Sequence, residues 1–258
     1  LGLVGDVRAT VDALLPRLAE KSRGHLDDAT AHYRKTRAKL DDLATPTRAG
    51  RPIHPQYLAR LLDEQAADDA IFTADVGSPT VWAARYLSMT EGRRLIGSFT
   101  HGSMANALMH GIGAQAAYPD RQVVALAGDG GLAMMLGELL TLTQNGLPVK
   151  TIVVNNSSLN FVELEMKAAG FVTYGTDLTN PSFAAIAEAM GIFARRVENS
   201  EDLPDAVREV LAHDGPALLD VVTERQELSM PPAIEAAQVK GFALYAIRTV
   251  MSGRGDEL

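Results

Sequence analysis

After residue 50, short apolar runs alternate with stretches in which apolar residues recur at helical spacing. This alternation is typical of parallel strands joined by helices, because such strands are buried on both faces of their sheet. Strands are predicted at six places: Ile71 to Asp75, Arg94 to Gly97, Gln122 to Ala127, Lys150 to Val154, Phe193 to Val197 and Ala217 to Val222. The sequence therefore predicts an α/β fold with a doubly wound, mainly parallel six-stranded sheet and helices on both faces.

Helices are predicted between these strands. Pro55 and Pro181 are expected at the first helical positions of helices over residues 55–66 and 181–190, where proline has no intrahelical N–H bond to lose. A further helix is predicted from Leu132 to Gln144.

The first 50 residues have a different pattern. Asp6 is a predicted N-cap, and the apolar residues after it recur at helical spacing: Val7, Val11, Leu14, Leu15 and Leu18. Residues 20–43 are highly charged and predict a mostly solvated helical connector. Because Pro46 and Gly50 interrupt the helical pattern, we expect a domain boundary near residue 50. The predicted domains are residues 1–50, 51–230 and 231–258.

The composition, 47% hydrophobic and 22% charged over 258 residues, is that of a globular chain large enough for one α/β core. The net charge of -8 argues against nucleic acid as a partner, because phosphate binding requires a basic face. The absence of cysteine excludes disulfides and thiolate metal sites. Every apolar run is far shorter than the roughly 20 residues that span a bilayer. Because the chain starts without Met, we expect it to be a segment of a longer protein.

One glycine-rich turn follows a predicted strand directly. Gly128-Asp129-Gly130-Gly131 comes after the apolar run Val123 to Ala127 and before a predicted helix. Glycines allow the backbone to approach a ligand closely, and free amides at a helix start favour phosphate oxygens. Taken alone, Gly-Asp-Gly is also an ordinary surface turn.

A second motif ends the next predicted strand. Asn155-Asn156 follows Lys150 to Val154, with 24 residues between Gly130 and Asn155, which is the length of one βαβ crossover. If the two strands are neighbours, their ends lie about 4.8 Å apart, and Asp129 and Asn156 can hold one ion. Mg²⁺ prefers such oxygen ligands, and it resolves the repulsion between Asp129 and a bound diphosphate.

This pair of motifs resembles the cofactor site of thiamine diphosphate (ThDP) dependent 2-oxo acid enzymes. The wider sequence is similar to the carboxyl-terminal part of pyruvate oxidases, also called pyruvate:quinone oxidoreductases or ubiquinone-dependent pyruvate dehydrogenases. The similar segments are Ala67 to Phe72, Asp75 to Gly77, Pro79 to Leu87, His101 to Ala107, Glu165 to Ala168, Lys240 to Phe242 and Ser252 to Glu257. The resemblance covers nearly the whole chain and implies the ThDP-binding fold.

The resemblance also implies roles for individual residues. Mg²⁺ is expected to bind the side chains of Asp129 and Asn156 and the backbone carbonyl of Ser158. The diphosphate is expected to contact Gly130, Gly131, Asn156, Ser157, Ser158, Leu159, Asn160 and Phe161. The aminopyrimidine is expected to lie against Gly102, Ser103 and Met104, and Val76, Gly77 and Val162 are expected to contact the cofactor as well.

Three residues are expected to act in catalysis: Met104 as the apolar support that bends the cofactor, and Phe161 and Glu165 facing the reacting carbon together with Val162. Two of them have a simpler alternative, since Met104 can be core packing and Glu165 a solvated helix residue. We interpret His101 as structural. Asn160 replaces a glycine that is usual in pyruvate oxidases, and Glu163 adds an acid, so substrate selectivity stays open.

The resemblance implies oxidative decarboxylation of pyruvate to acetate and carbon dioxide with ThDP and Mg²⁺, the electrons passing through FAD to a membrane quinone. It further implies a homotetramer, a pyrimidine-binding amino-terminal domain from a neighbouring subunit, and a cytoplasmic location on the inner face of the bacterial membrane. The first 18 residues are expected to end the flavin domain. Because parts are missing, the chain alone is expected to be inactive.

Near the carboxyl end, seven apolar residues recur at helical spacing: Val239, Phe242, Ala243, Ala246, Ile247, Val250 and Met251. They predict either a helix packed on the core, which we favour, or a helix that contacts lipid.

Other functions remain open. Acetolactate synthases and 2-oxo acid decarboxylases share the metal motif. From another class, Gly128, Gly130 and Ala133 fit a relaxed dinucleotide fingerprint of a non-catalytic binding module. That fingerprint requires an acid at the end of the next strand, where this chain has Asn155 and Asn156.

Overall fold

The computed structural model describes residue 2, residues 4–225, residue 227 and residues 236–255. The chain divides into two compact units, Leu1–Asp42 and Leu43–Leu258. The boundary predicted near residue 50 therefore falls inside the second unit. The cause is local, because Ala44 is buried and its carbonyl accepts a hydrogen bond from Arg60, while the carbonyl of Thr47 accepts one from Ser200.

The first unit contains two helices, α1 (Val7–Leu14), which continues into a 3₁₀ turn over Leu15–Arg17, and α2 (Gly24–Asp41). Asp6 caps α1 as predicted, since its carboxylate accepts a hydrogen bond from the Ala9 amide at 2.8 Å. Neither helix buries a residue. This agrees with the prediction of a mostly solvated helical segment.

The second unit is built on one six-stranded sheet. Its strands are β1 (Ile71–Ala74), β2 (Arg94–Ile96), β3 (Val123–Gly128), β4 (Lys150–Asn155), β5 (Phe193–Val197) and β6 (Ala217–Val222). They lie in the order β2-β1-β3-β4-β6-β5, and every pairing is parallel. The predicted fold class is confirmed, and each predicted strand differs from the observed one by at most one residue at either end.

Helices cover both faces of this sheet. They are α3 (Pro55–Gln65), α4 (Ser78–Tyr86), α5 (Asn106–Ala117), α6 (Asp129–Met134), α7 (Leu139–Asn145), α8 (Asn160–Ala168), α9 (Phe183–Ala189), α10 (Leu203–Ala212) and α11 (Ala236–Met251). Alternate residues of β3 point to opposite faces. Val124 and Leu126 pack with α3, α4 and α10, whereas Val123 and Ala125 pack with α5, α7 and α9.

Two helix predictions need correction. The helix predicted from Pro181 begins at Phe183, because the hydroxyl of Ser182 accepts a hydrogen bond from the Ala185 amide and caps it. The helix predicted from Leu132 to Gln144 is divided into α6, a 3₁₀ turn over Leu136–Glu138 and α7. Met135 leaves the helical region, with φ at -126° and ψ at 28°.

The carboxyl-terminal helix packs on α8, but through a different face from the predicted apolar stripe. Over residues 238–251, where its burial is described, the buried residues are Gly241, Tyr245 and Thr249. A Cβ on Gly241 would lie 1.7 Å from the Ala168 carbonyl oxygen, so glycine permits the close approach of the two helices. Val239, Ile247, Val250 and Met251 of the predicted stripe are exposed. Residues 231–235 and 256–258 of the predicted tail lie outside the described residues.

Within the described part of the chain, no helix combines the length and the apolar character required to cross a membrane.

The first residue of β4, at the end of the sheet opposite the carboxyl ends of the strands, is a buried lysine. Lys150 is 3% exposed and donates hydrogen bonds to the carbonyls of His213 and Gly215. Burial lowers the pKa of Lys150 from 10.5 to about 8, against a smaller raising effect of Asp214.

A rise of stability with pH is expected from Lys150. Between pH 8 and 10.5 the unfolded chain binds more protons than the folded chain at this residue, so the free energy of unfolding increases, by at most about 3 kcal/mol. Lys150→Met removes this contribution, whereas Lys240→Met at an exposed position of α11 keeps it. Urea unfolding below and above this window measures the difference. An identical pH dependence in the two variants would contradict the assignment.

Candidate functional site

A cavity of about 230 Å³ lies at the carboxyl edge of the sheet, where β1, β3 and β4 end. Because β2 and β3 flank β1 on opposite sides, the chain reverses its direction across the sheet at this point. In open α/β sheets such a switch point leaves a crevice in which ligands bind. The cavity wall contains every predicted site residue except Ser103 and Ser157. These two residues are flanked in the sequence by residues that do line the cavity.

The acid of the glycine-rich turn is buried at this edge. Asp129 is 3% exposed and directly follows β3. Its Oδ1 accepts a hydrogen bond from the Gly130 amide at 2.8 Å, and its Oδ2 accepts from the Ser157 amide at 2.7 Å and the Asn180 side chain at 2.8 Å. Burial raises the pKa of Asp129, and these hydrogen bonds oppose that effect.

The two predicted motifs meet as expected from the topology. β3 and β4 are parallel neighbours with Gly128 opposite Val154, so Asp129 and Asn155 lie side by side and Asn156 follows. Ser157 has φ at 55°, and this left-handed turn directs its amide toward Asp129. The Asn156 side-chain oxygen accepts a hydrogen bond from the Ser158 amide at 3.1 Å. The prediction that β3 and β4 end side by side is confirmed. The binding of one metal ion by Asp129 and Asn156 together remains a prediction.

The glycines of the turn create the space in front of these groups. A Cβ on Gly130 would lie 3.1 Å from Leu159 and 3.3 Å from Met104, and a Cβ on Gly131 would lie 2.1 Å from Asp75 Oδ2. A side chain at either position would narrow the cavity or displace its wall. Together with one carboxylate, one amide and one nearby carbonyl, this cradle fits a diphosphate held by a hard divalent cation.

A second buried acid, Asp75, was missed by the sequence analysis as a site residue. Its Oδ1 accepts a hydrogen bond from the Ala107 amide at 2.8 Å, and its Oδ2 accepts from the Gly128 amide at 3.0 Å. It thus connects the ends of β1 and β3 with the start of α5. Burial raises the pKa of Asp75 against these hydrogen bonds. The available signal was an acid at the carboxyl end of a predicted strand.

The remaining wall comes from Val76 to Pro79 after β1, from the β2–α5 loop and from α8. Met104 lines the cavity and is 39% exposed, which does not fit core packing. His101 is exposed and lies outside the lining. Glu165 lines the cavity on an exposed part of α8, and Phe161 lies one helical turn before it.

The two unusual residues of α8 have separate environments. Asn160 is buried in the wall, where its Oδ1 accepts a hydrogen bond from the Ser78 hydroxyl at 2.9 Å. Glu163 is buried outside the lining, forms an ion pair with Lys167 at 2.7 Å, and accepts a hydrogen bond from the Ser158 hydroxyl at 2.6 Å. Asn160 therefore forms part of the surface that a ligand in the cavity would contact. Glu163 instead holds the loop after β4 through Ser158.

Comparison with known proteins gives a consistent family. Residues 75–221 match the thiamine pyrophosphate enzyme, C-terminal TPP binding domain. YdaP of Bacillus subtilis, named as a thiamine pyrophosphate-containing protein, is 33% identical over 100% of this chain and 44% of its own length. The mitochondrial acetolactate synthase catalytic subunit of Aspergillus candidus is 34% identical over 98% of this chain and 37% of its own length.

A solved structure shows the same architecture. The thiamine diphosphate-dependent 4-hydroxybenzoylformate decarboxylase of Rhodococcus jostii RHA1 aligns with a TM-score of 0.65 and 28% identity, over 71% of this chain and 35% of that chain. The chain thus spans less than half the length of these relatives. Their names include synthases and a decarboxylase, so the comparisons support thiamine enzymes in general and do not single out the pyruvate oxidases expected from the sequence.

Because Asp75 lies close to the glycine-rich turn, we expect the stability of the fold to depend strongly on glycine at position 131. Gly131→Ala places a Cβ 2.1 Å from Asp75 Oδ2, and we expect this overpacking to destabilise the fold by about 1–3 kcal/mol. Gly113→Ala in α5 is the control, since nothing lies within 4 Å of its Cβ and alanine favours helix by about 1 kcal/mol. Urea unfolding compares them, and equal stabilities would refute the steric argument.

Proposed function

The chain belongs to the thiamine pyrophosphate enzyme family, and from this premise we propose that it supplies the diphosphate- and magnesium-binding part of an enzyme of the acetolactate synthase or 2-oxo acid decarboxylase kind. The observation that carries this proposal is the buried carboxylate of Asp129 beside Asn156, at the switch point of the sheet. The names of the relatives support this reaction class in preference to pyruvate oxidation.

The residues at the strand ends would hold the cofactor. Asp129, Asn156 and the carbonyl of Ser158 would bind Mg²⁺, and Gly130 and Gly131 leave room for diphosphate oxygens. When bound, ThDP supplies the carbon nucleophile and the electron sink for decarboxylating a 2-oxo acid. The chain's own contribution is to fix the charged end of the cofactor through oxygen ligands on a rigid sheet.

The wall residues would shape the reaction space. Met104 would pack against the cofactor beside Gly102, and Phe161 and Val162 would present apolar surface that excludes water from the reaction space. Glu165 is the acid of α8 on the cavity wall, and we propose it as a group that holds or moves a proton near the substrate.

The dinucleotide-binding alternative has less support. The turn after β3 contains a carboxylate that accepts hydrogen bonds from its own turn and from the loop after β4. The next strand ends at Asn155, which Asn156 follows, so two amides stand at this position. A dinucleotide site requires an acid at that second position to bind a ribose hydroxyl.

Pyruvate oxidase activity is a second candidate, favoured by the sequence segments that resemble those enzymes. It would require FAD, a quinone acceptor and an amino-terminal domain from a neighbouring subunit in a tetramer. A location on the inner face of the bacterial membrane belongs to this candidate. The exposed Val239, Ile247, Val250 and Met251 of α11 provide apolar surface for contact with lipid.

Cofactor binding to the purified chain tests the proposal. Calorimetric titration with ThDP in the presence of Mg²⁺ is expected to show binding that Asp129→Asn weakens at least about tenfold, or about 1.4 kcal/mol. The control is Asp205→Asn, which changes an exposed acid of α10. Binding of NAD together with no binding of ThDP would reverse the assignment.

Product analysis separates the two candidate reactions. The chain alone is expected to show no turnover of pyruvate, because it spans less than half the length of its relatives. A full-length protein that carries this chain is expected to form acetolactate or an aldehyde from pyruvate with ThDP and Mg²⁺, without an electron acceptor. Formation of acetate only when a quinone analogue is reduced would favour the oxidase instead.

A further inference from the structure

Asn180 lies outside the cavity lining, yet its side chain contacts the proposed metal-binding carboxylate. Its Nδ2 donates to Asp129 Oδ2 at 2.8 Å and to Asn155 Oδ1 at 2.9 Å. A side-chain amide nitrogen carries two hydrogens, so both donors of Asn180 are used by these two bonds. Asn180 therefore connects Asp129 with the first asparagine of the Asn-Asn motif.

The connection continues to a fully buried acid. Asn155 is 2% exposed at the end of β4, and its Nδ2 donates to Asp220 Oδ1 on the neighbouring strand β6 at 2.9 Å. Asp220 is 0% exposed, and its Oδ2 accepts from the Phe183 amide at 3.1 Å and from Arg196 at 2.7 Å. The guanidinium of Arg196 compensates the buried charge from β5.

The buried charge fixes the direction of every bond in this series. An ionised carboxylate only accepts hydrogen bonds, so Asn155 must turn its NH₂ toward Asp220 and its carbonyl oxygen toward Asn180. Asn180 must then turn its NH₂ toward both Asn155 and Asp129. The orientation of each amide follows from its partners, and reversing one of them would place two acceptors or two donors face to face.

Asp129 thus accepts a hydrogen bond from Asn180, whose orientation is fixed by Asn155 and, through Asn155, by the buried Asp220. Together with the Ser157 amide, Asn180 holds Oδ2 and leaves the carboxylate in one orientation at the cavity wall. Groups that orient a metal ligand through hydrogen bonds alter metal affinity although they do not touch the metal. The two asparagines of the motif also differ in location, since Asn156 lines the cavity and Asn155 lies outside the lining.

We propose that Asn180 is a positioning residue for Asp129, and that Asp220, held by Arg196, sets the orientation of Asn180 through Asn155. The proposal rests on the proposed function, in which Asp129 binds the divalent cation of the cofactor. It assigns a role to three residues, Asn155, Asn180 and Asp220, that do not reach the cation.

Binding of Mn²⁺ in place of Mg²⁺, followed by electron paramagnetic resonance with ThDP present, tests the first step without any activity. In the 258-residue chain, Asn180→Ala is expected to raise the dissociation constant for Mn²⁺ by about tenfold. Asn145→Ala is the control, because the Asn145 side chain is also a hydrogen-bond donor, with a single bond to the Thr141 carbonyl at 2.9 Å, but lies at the exposed end of α7. Urea unfolding of the metal-free variants accounts for any loss of stability.

An unchanged Mn²⁺ affinity in Asn180→Ala, with tight binding in the unsubstituted chain, would overturn the positioning role and leave the proposed function standing. If the unsubstituted chain itself binds no Mn²⁺ with ThDP, the proposed function fails and this inference fails with it.

A double-mutant cycle tests the longer connection. Asp220→Asn keeps the shape but allows the amide at position 220 to present N–H groups to Asn155, which removes the imposed direction. It is expected to weaken Mn²⁺ binding in the unsubstituted chain and to have no further effect in Asn180→Ala. Equal effects in the two backgrounds would overturn the connection. If Asp220→Asn does not fold, Arg196→Gln replaces it in the same cycle.

Discussion

The carboxylate of Asp129 is buried at the edge of the sheet where two parallel strands end, and the local structure is organised around it. Removing a charged carboxylate from water costs several kcal/mol unless hydrogen bonds replace the lost hydration. Three N–H donors do so here, from Gly130, Ser157 and Asn180. One of them requires a left-handed backbone at a residue other than glycine, which costs on the order of 1 kcal/mol. The hydrogen bond from the Ser157 amide to the Asp129 carboxylate therefore offsets the strain of the left-handed backbone at Ser157.

Two acids at the same edge have different tasks because their partners differ. Asp75 uses both oxygens on backbone amides of α5 and β3, so it connects the scaffold around the cavity. Both acids line the cavity, but Asp129 is hydrogen-bonded to its own turn and to the loop after β4. The small size of Gly131 allows the first acid to approach the turn that carries the second.

The sequence predicts those parts of this arrangement that depend on local pattern and on parallel topology. The central strands β3, β4 and β6 are largely apolar runs, and parallel strands bring Asp129 and Asn156 to one edge. Asn180 escaped prediction because it lies 51 residues from Asp129 and its neighbourhood carries no periodic signal. The packed face of α11 escaped for another reason, since Gly241 and Thr249 are not apolar residues, and close approach of helices decides their burial. Likewise, Ser182 rather than Pro181 fixes the start of α9, because a cap is chosen by hydrogen bonding.

The same physical division explains why the family is evident while the reaction is not. The residues proposed for the diphosphate and the metal directly follow β3 and β4 in the middle of the sheet, so the parallel pairing of these two strands fixes where they lie. The residues facing the reaction space come from α8, which is fixed by Glu163 and Lys167 within the unit and by Ala168 against α11. Asn160 or Glu165 can therefore change while Asp129 and Asn156, the proposed metal ligands, stay at the strand ends. Relatives with this sheet can thus share one cofactor and differ in reaction, because the α8 side chains proposed to face the substrate lie apart from the Asp-Asn edge.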